Sequence, residues 1–397
     1  MKNLLTLVLV AFITAKAFSA PVPVMRSLFD GKDLTGWIGQ GYIVEDGTIL
    51  CTPEGKTLMT TEVFSNYILE FDFKLPPGGN NGLGIHYPGT GDGAYTGMEI
   101  QILDHSDPKY KDLKDYQFNG SLYTLAPAKP SGLKPVGEWN HEKVSVSGAS
   151  LAVELNGEMI LRANLDDLSL RNPEHAGVKR RSGQIAFLGH GDRVAFKNIK
   201  IAEIPPLANT EGVMAAGYAR LFNGKNLDRW NSKNMPEWAV INGILRHGGQ
   251  PGESANLWTE KEYTDYSIVF DWRWRGSVPN QPTPLKGGLY LRGENPTGLV
   301  GFHNEPSGSG GVKTSNENPG LTPEMLAQMT PKVKADRPTG EWNRTMVTIK
   351  GDRLTVSLNG RVVLDKIQLP SLPAKGAIGI LDQDCAIDFA NFWVKEL

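Results

Sequence analysis

Ser27-Leu28-Phe29-Asp30-Gly31-Lys32-Asp33-Leu34-Thr35-Gly36-Trp37 returns later in the chain as Arg220-Leu221-Phe222-Asn223-Gly224-Lys225-Asn226-Leu227-Asp228-Arg229-Trp230. Gly137-Glu138-Trp139-Asn140 returns as Gly340-Glu341-Trp342-Asn343, and Leu155-Asn156-Gly157 as Leu358-Asn359-Gly360. Phe196-Lys197-Asn198-Ile199 returns as Phe389-Ala390-Asn391-Phe392. The offsets from Trp37, Trp139, Asn156 and Asn198 to their counterparts are 193, 203, 203 and 193 residues. Four matches in one order at nearly constant offset mark a duplicated domain of roughly 180 residues, too long for a solenoid unit. Residues that both copies keep report on fold. Polar residues that only one copy keeps are candidates for function.

Within the first copy the strand pattern is dense. Tyr67-Ile68-Leu69-Glu70-Phe71-Asp72-Phe73-Lys74 and Met98-Glu99-Ile100-Gln101-Ile102-Leu103 alternate apolar and polar side chains, the period of a half-buried strand. Asn156-Gly157 is a two-residue hairpin signal between Leu151–Leu155 and Glu158–Leu161. Gln184–Leu188 and Val194–Ile201 supply further strands, and helix signals shrink to short pieces such as residues 322–327. Gly 45 and Pro 26 in 397 residues fit many strands joined by turns. The pattern predicts an all-β chain of two tandem two-sheet sandwiches. Their expected bounds are 27–204 and 219–397, with a Pro/Asn/Gly-containing linker at 205–218.

A formal net charge of −2 gives no basic footprint for nucleic acid. Residues 1–19 read as an export signal: Lys2, an apolar run from Leu4 to Ile13, and Ala17-Phe18-Ser19 as a small-x-small cleavage site. The run is too short for a membrane span, so the mature protein is expected to be periplasmic or secreted, with no membrane span. Cys51 and Cys385 sit at non-equivalent places and read as buried thiols. No Cys/His spacing suggests zinc, and no Asp-x-Asp-x-Asp run suggests calcium.

The opening Leu-Phe-Asp-Gly-Lys-Asp-Leu-x-Gly-Trp, then Glu99-Ile100-Gln101-Ile102-Leu103-Asp104, Gly137-Glu138-Trp139-Asn140, Leu155-Asn156-Gly157, His190-Gly191 and Phe196-Lys197-Asn198-Ile199 together resemble the 3-keto-disaccharide hydrolase family. The resemblance covers the first copy in order and the second more weakly. It implies a concanavalin A-like jelly roll for each copy and a carbohydrate substrate already oxidised to a ketone at C3. It also implies a partner oxidoreductase that makes that ketone. No metal or organic cofactor is required by such chemistry.

Glu99-x-Gln101-x-x-Asp104 is the sharpest constellation. Side chains at i and i+2 of a strand share a face, so Glu99 and Gln101 point together, away from Met98, Ile100 and Ile102. Asp104 joins them if the strand ends or bulges near Leu103. Laminarinase-type sandwiches keep catalytic carboxylates in a similar Glu-x-Asp-x-x-Glu row, from which Gln101 and Asp104 depart. Aligning Gly97 with Gly298 sets Val300 and Phe302 of the second copy opposite Glu99 and Gln101, so only the first copy carries the polar row. His190, in Gly189-His190-Gly191-Asp192, matches the histidine of the family's closing segment, whose preceding Gln and Asp are Leu188 and Gly189 here. His86, His105, Tyr123 and Lys134 complete the candidates, as substrate-binding residues. Lys134 is the candidate for stabilising charge on the keto oxygen.

The expected reaction removes the proton at C2, expels the group at C1 and adds water, for net hydrolysis of the glycosidic bond. Glu99 or His190 serves as base, and Gln101 and Lys134 polarise the ketone. Asp104 acts as acid or orients His105. Two other readings remain open: a non-catalytic, lectin-like sugar-binding protein, and a laminarinase-type glycosidase.

Overall fold

The computed structural model describes residues 23–206, 210–231, 237–249, 256–275, 285–294, 297–303, 305–313, 321–381 and 385–397. The export signal read at residues 1–19 lies outside the described residues.

The first copy contains β1 (Arg26–Ser27), β2 (Trp37–Gly39), β3 (Tyr42–Glu45), β4 (Thr48–Cys51), β5 (Thr57–Thr60), β6 (Tyr67–Lys74) and β7 (Asn80–Tyr87). Helix α1 (Gly93–Thr96) precedes β8 (Met98–Leu103), β9 (Trp139–Ser147), β10 (Ser150–Leu155), β11 (Glu158–Asn164), β12 (Gln184–Leu188) and β13 (Ala195–Glu203). One sheet runs β11-β10-β9-β6-β13-β4-β3, with β1 beside β13. The other runs β2-β5-β12-β7-β8. Along β6, Tyr67, Leu69, Phe71 and Phe73 are buried while the alternate residues are half-buried. Each such side chain contributes roughly 1.5–3 kcal/mol on full burial. They meet Leu83, Ile85, Met98, Ile100, Ile102 and Phe187 from the facing sheet.

The second copy repeats the plan. One sheet runs Trp238–Ile241, Ile244–His247, Ile387–Glu396, Tyr266–Trp274, Asn343–Lys350, Arg353–Leu358, Arg361–Gln368. The other runs Trp230–Asn231, Leu257–Tyr263, Gly376–Leu381, Lys286–Tyr290, Leu299–His303, Val312–Lys313. The chain is therefore two tandem, nearly all-β jelly-roll sandwiches. The stretch read as linker carries a short helix, Thr210–Ala215, and the helix signal at 322–327 becomes Pro323–Met329.

Residues shared by the copies build these frames. Asn156 and Gly157 have φ of 50° and 85°, and Asn359 and Gly360 have 50° and 79°, both positive as the tight hairpin demands. Asn140 Oδ1 accepts from Lys134 N (2.9 Å) and Asn156 Nδ2 (2.8 Å). Asn343 Oδ1 does the same for Arg337 N (2.9 Å) and Asn359 Nδ2 (2.8 Å). Cys51 and Cys385 are both buried.

The copies are joined by buried charges. Glu203, at the end of β13, pairs with Arg273 and, at 3.0 Å, with Arg246 of the second copy. Asp388 accepts from both arginines, each at 2.8 Å. Arg273 Nη1 also donates to Ser65 Oγ at 2.9 Å. Mutual pairing offsets the cost of taking these ions out of water. Among the described residues no helix is long and apolar enough to cross a membrane.

Candidate active site

Both faces of β8 are buried. Met98, Ile100 and Ile102 enter the sandwich core. Glu99, Gln101 and Leu103 line a cavity of about 570 Å³ on the opposite face. That size lies within the ordinary range for small-ligand sites, about 300–1,000 Å³.

The segment after β8 covers this face and seals the strand's free edge. Gln101 N donates to Ser121 O at 2.9 Å, Gly120 N to Gln101 O at 2.7 Å, and Tyr123 N to Glu99 O at 2.8 Å. This pairing delivers Tyr123 to the cavity, while Tyr110, Leu113 and Gln117 come from the same excursion. α1 forms another wall, its start fixed by Asp92 Oδ1, which accepts from Ala94 N at 2.9 Å. His190 follows β12 on a loop tied back by Gly189 N donating to Lys56 O.

Glu99 and His190 stand side by side in the cavity wall. Glu99 is 5% exposed, and its Oε1 has no hydrogen-bond partner. His190 Nε2 stands 3.9 Å from that oxygen, close enough for charge pairing and too far for a hydrogen bond. Burial pushes the Glu99 carboxyl above the usual carboxylate range, against the opposing pull of His190. Glu99 beside it holds His190 above the usual histidine value, with burial acting the other way. Gln101 is fixed by its Nε2, which donates to Asn80 Oδ1 at 3.2 Å. Asn80 N in turn donates to Asp192 Oδ2 at 3.0 Å. Among the described residues no group of three or more His, Cys, Asp and Glu side chains is arranged to hold a metal ion.

Of the eight residues proposed from sequence, Glu99, Gln101, Tyr123 and His190 line this cavity, and the other four do not. Asp104 accepts from Gly78 N (2.8 Å), Ser106 N (3.2 Å) and Ser106 Oγ (2.6 Å), so it organises a turn. Burial opposes its ionisation, but these donors outweigh it and hold the carboxyl below its usual value. His105 packs edge-on against Phe118, 5.2 Å between ring centres, and its Nδ1 accepts from Asn119 N. It therefore does not pair with Asp104 in the cavity. His86 is fully buried between the carbonyls of Arg180 and Ser65, and burial pulls its pKa down to about 4. Lys134 Nζ donates to Trp139 O at 2.9 Å. Sequence reasoning missed Lys56, Asn80, Asp92, Tyr95 and Gln117, which line the cavity from loops, short helical turns or the opposite strand end. Asn80 was the most legible of these, since it opens a strand whose next alternate residues are Gly82 and Gly84.

The comparison between copies also needs correcting. Val300 and Phe302 are core residues; Phe302 stacks on Trp272 with 4.8 Å between ring centres. Strand register gives the true counterparts. Gly82 pairs with Gln101 and Gly84 with Glu99, whereas Gly288 pairs with Gly301 and Tyr290 with Leu299. Leu83 faces Phe187 across β12, as Leu289 faces Ile380. Leu299 and Gly301 therefore stand where the first copy has Glu99 and Gln101. A one-residue slip moves a strand's residues to the wrong face. The conclusion that the second copy lacks both polar groups survives the correction.

The family described as the 3-keto-alpha-glucoside-1,2-lyase-like domain matches residues 24–202 and again residues 217–395. The chain belongs to this family. It is also similar to the 3-keto-disaccharide hydrolase of Bacteroides thetaiotaomicron, 29% identical over 225 aligned residues that span 44% of this chain and 77% of that protein. A crystal structure from Parabacteroides distasonis, described as a "putative glycosyl hydrolase", is 26% identical, covering 46% of this chain and 94% of that one with a TM-score of 0.41. The lyase-like domain thus occurs twice here, and the cavity lies in its first occurrence.

Proposed function

We propose that this chain is a glycoside-cleaving enzyme acting on 3-keto-glycosides, with its active site in the first copy. The orphaned, buried Glu99 Oε1 beside His190 carries the reading. A carboxyl whose pKa is raised by burial is a stronger base once ionised, and a histidine held protonated by it is a ready acid. Family membership and the relative's name supply the substrate class.

A ketone at C3 acidifies the hydrogen at C2. Glu99 takes that proton, and the electron pair of the C2–H bond forms C2=C3 while the carbonyl pair moves onto oxygen. When the enolate collapses, the C1–O bond breaks, and the leaving oxygen takes a proton from His190. Water then adds to the enone. Gln101, held by Asn80, and Tyr123 position sugar hydroxyls. An oxidoreductase supplies the ketone. The apolar stretch from Leu4 to Ile13 supports export, where such substrates would be met.

The test is incubation of the purified protein with a 3-keto-glycoside and with its unoxidised parent. Release of the leaving group from the keto form alone is expected, with solvent deuterium appearing at C2. Equal cleavage of the parent would return the assignment to a two-carboxylate glycosidase. Binding without cleavage would make this a lectin-like protein.

A further inference from the structure

The elimination leaves a negative charge on the C3 oxygen, and the two groups already assigned do not neutralise it. Glu99 is the base, and His190 is committed to the leaving group. Lys134, the lysine that the sequence offers for this task, is spent on the carbonyl of Trp139. The cavity nevertheless contains a cation. Among its lining residues Lys56 is the sole lysine or arginine, in company with the carboxylates of Asp92 and Glu99.

Lys56 is placed by the same hydrogen bond that places His190. β5 and β12 pair as far as Thr57 opposite Leu188, and beyond them Gly189 N donates to Lys56 O. The lysine and the histidine therefore leave adjacent backbone positions at one rim of the cavity. Lys56 is exposed, and its ammonium makes no hydrogen bond or ion pair with any described residue. It is free to meet a ligand. Register also places Thr60 and Thr259 as counterparts, each opposite the tryptophan of its opening motif. Counting back four residues in sequence from each gives Lys56 in the first copy and Ala255 in the second. In sequence, then, the lysine of that position is not repeated in the second copy.

We infer that Lys56 is the substrate-facing cation that stabilises the enolate oxygen, and that the charged set in the first copy is Glu99, His190 and Lys56. This rests on the elimination reading above. The physical reason is that a fixed positive charge at a developing oxyanion lowers the transition state more than the ground state, in which the ketone is neutral. Its removal should therefore reduce turnover more than it weakens binding.

The experiment compares wild type, Lys56→Met, Lys56→Arg and Lys134→Ala on one 3-keto-glycoside in deuterated water. Deuterium entry at C2 and leaving-group release are both followed at saturating substrate. For Lys56→Met both rates should fall together by about 100-fold, the usual effect of losing one oxyanion donor. KM should change far less, Lys56→Arg should recover much of the rate, and Lys134→Ala should match wild type. An unchanged saturating rate with a raised KM would make Lys56 a binding residue and overturn the inference. A wild-type enzyme that neither exchanges C2 nor cleaves the keto substrate would instead overturn the elimination reading itself.

Discussion

The carboxylate of Glu99 occupies the space that a Cβ on Gly82 would fill. Gly82 lies on β7, diagonally across from Glu99, and its missing side chain is the seat of the proposed base. The second copy keeps the seat: a Cβ on Gly288 would meet Leu299 Cδ1 at 2.6 Å. An isobutyl group there fills the position that a carboxylate fills in the first copy.

Gly82→Ala should therefore act on catalysis. The atoms met belong to the far end of a flexible side chain, so the backbone need not move and the melting temperature should shift by only a few degrees. The carboxylate must leave its seat, and misplacement by about 1 Å costs on the order of 100-fold in rate. Steady-state kinetics beside a thermal melt checks this. Wild-type turnover in the variant would show that Glu99 works equally well elsewhere.

The pH profile follows from the two raised pKa values. Glu99 acts ionised, and burial raises its pKa, so activity should be lost on acidification at a higher pH than an ordinary glutamate would give. His190 acts protonated, and Glu99 raises its pKa, so the alkaline limb should lie above the ordinary histidine range. Glu99→Gln should lower turnover by at least ~100-fold, erase the acidic limb and let His190 fall back toward its ordinary value. A histidine titration by NMR alongside kcat/KM against pH tests all three.

Much of the fold is legible in the sequence because duplication prints it twice and period-two alternation gives the strand faces. β6 follows its alternation residue by residue. β8 shows the limit of that reading. Its alternation separates Glu99 and Gln101 from the core, but it does not reveal that a later segment buries the polar face as well. Asp104, one residue past Leu103, does not join the face even though the strand ends there, because the turn at Gly78 and Ser106 takes its carboxylate. Lys56 and Asp92 lie on loops whose course depends on long-range pairing, and no local period marks them. The one-residue slip at Val300 arose from matching glycines rather than core positions; Phe302 among Phe270, Trp272 and Phe389 fixes the correct face.

Glu142 gives a stability prediction separate from catalysis. It points into the first core, neither carboxylate oxygen has a partner, and burial pushes its pKa up to about 8. The folded value lies above the unfolded one. Between the ordinary glutamate range and about 8, the folded chain holds a proton that the unfolded chain has released. Stability should therefore decline as pH rises through that window, by up to ~1.4 kcal/mol per pH unit from this group. Glu142→Gln removes the titration with little change of shape. Urea unfolding at pH 5 and pH 8 should show the wild-type difference shrinking in the variant; an undiminished difference would assign it to other groups.

The joint between the copies separates two perturbations that look alike. Arg273→Ala leaves Glu203 and Asp388 buried with Arg246 between them, and with Arg26 at 3.9 Å from Glu203. Breaking such a network from one side costs about 3–5 kcal/mol, because a charge stays out of water without full compensation. Ending the chain near Pro206 also removes Arg273, but it exposes Glu203 to solvent, where its carboxylate is hydrated. Every residue lining the cavity lies between Lys56 and His190. The shortened protein should therefore keep cleavage of small 3-keto-glycosides, with lower stability from its uncovered joint. The isolated second copy, with Leu299 and Gly301 in place of the polar pair, should cleave none. Urea midpoints for Arg273→Ala and leaving-group release from each half decide the matter. Activity in the isolated second copy would place the site in the wrong half of the chain.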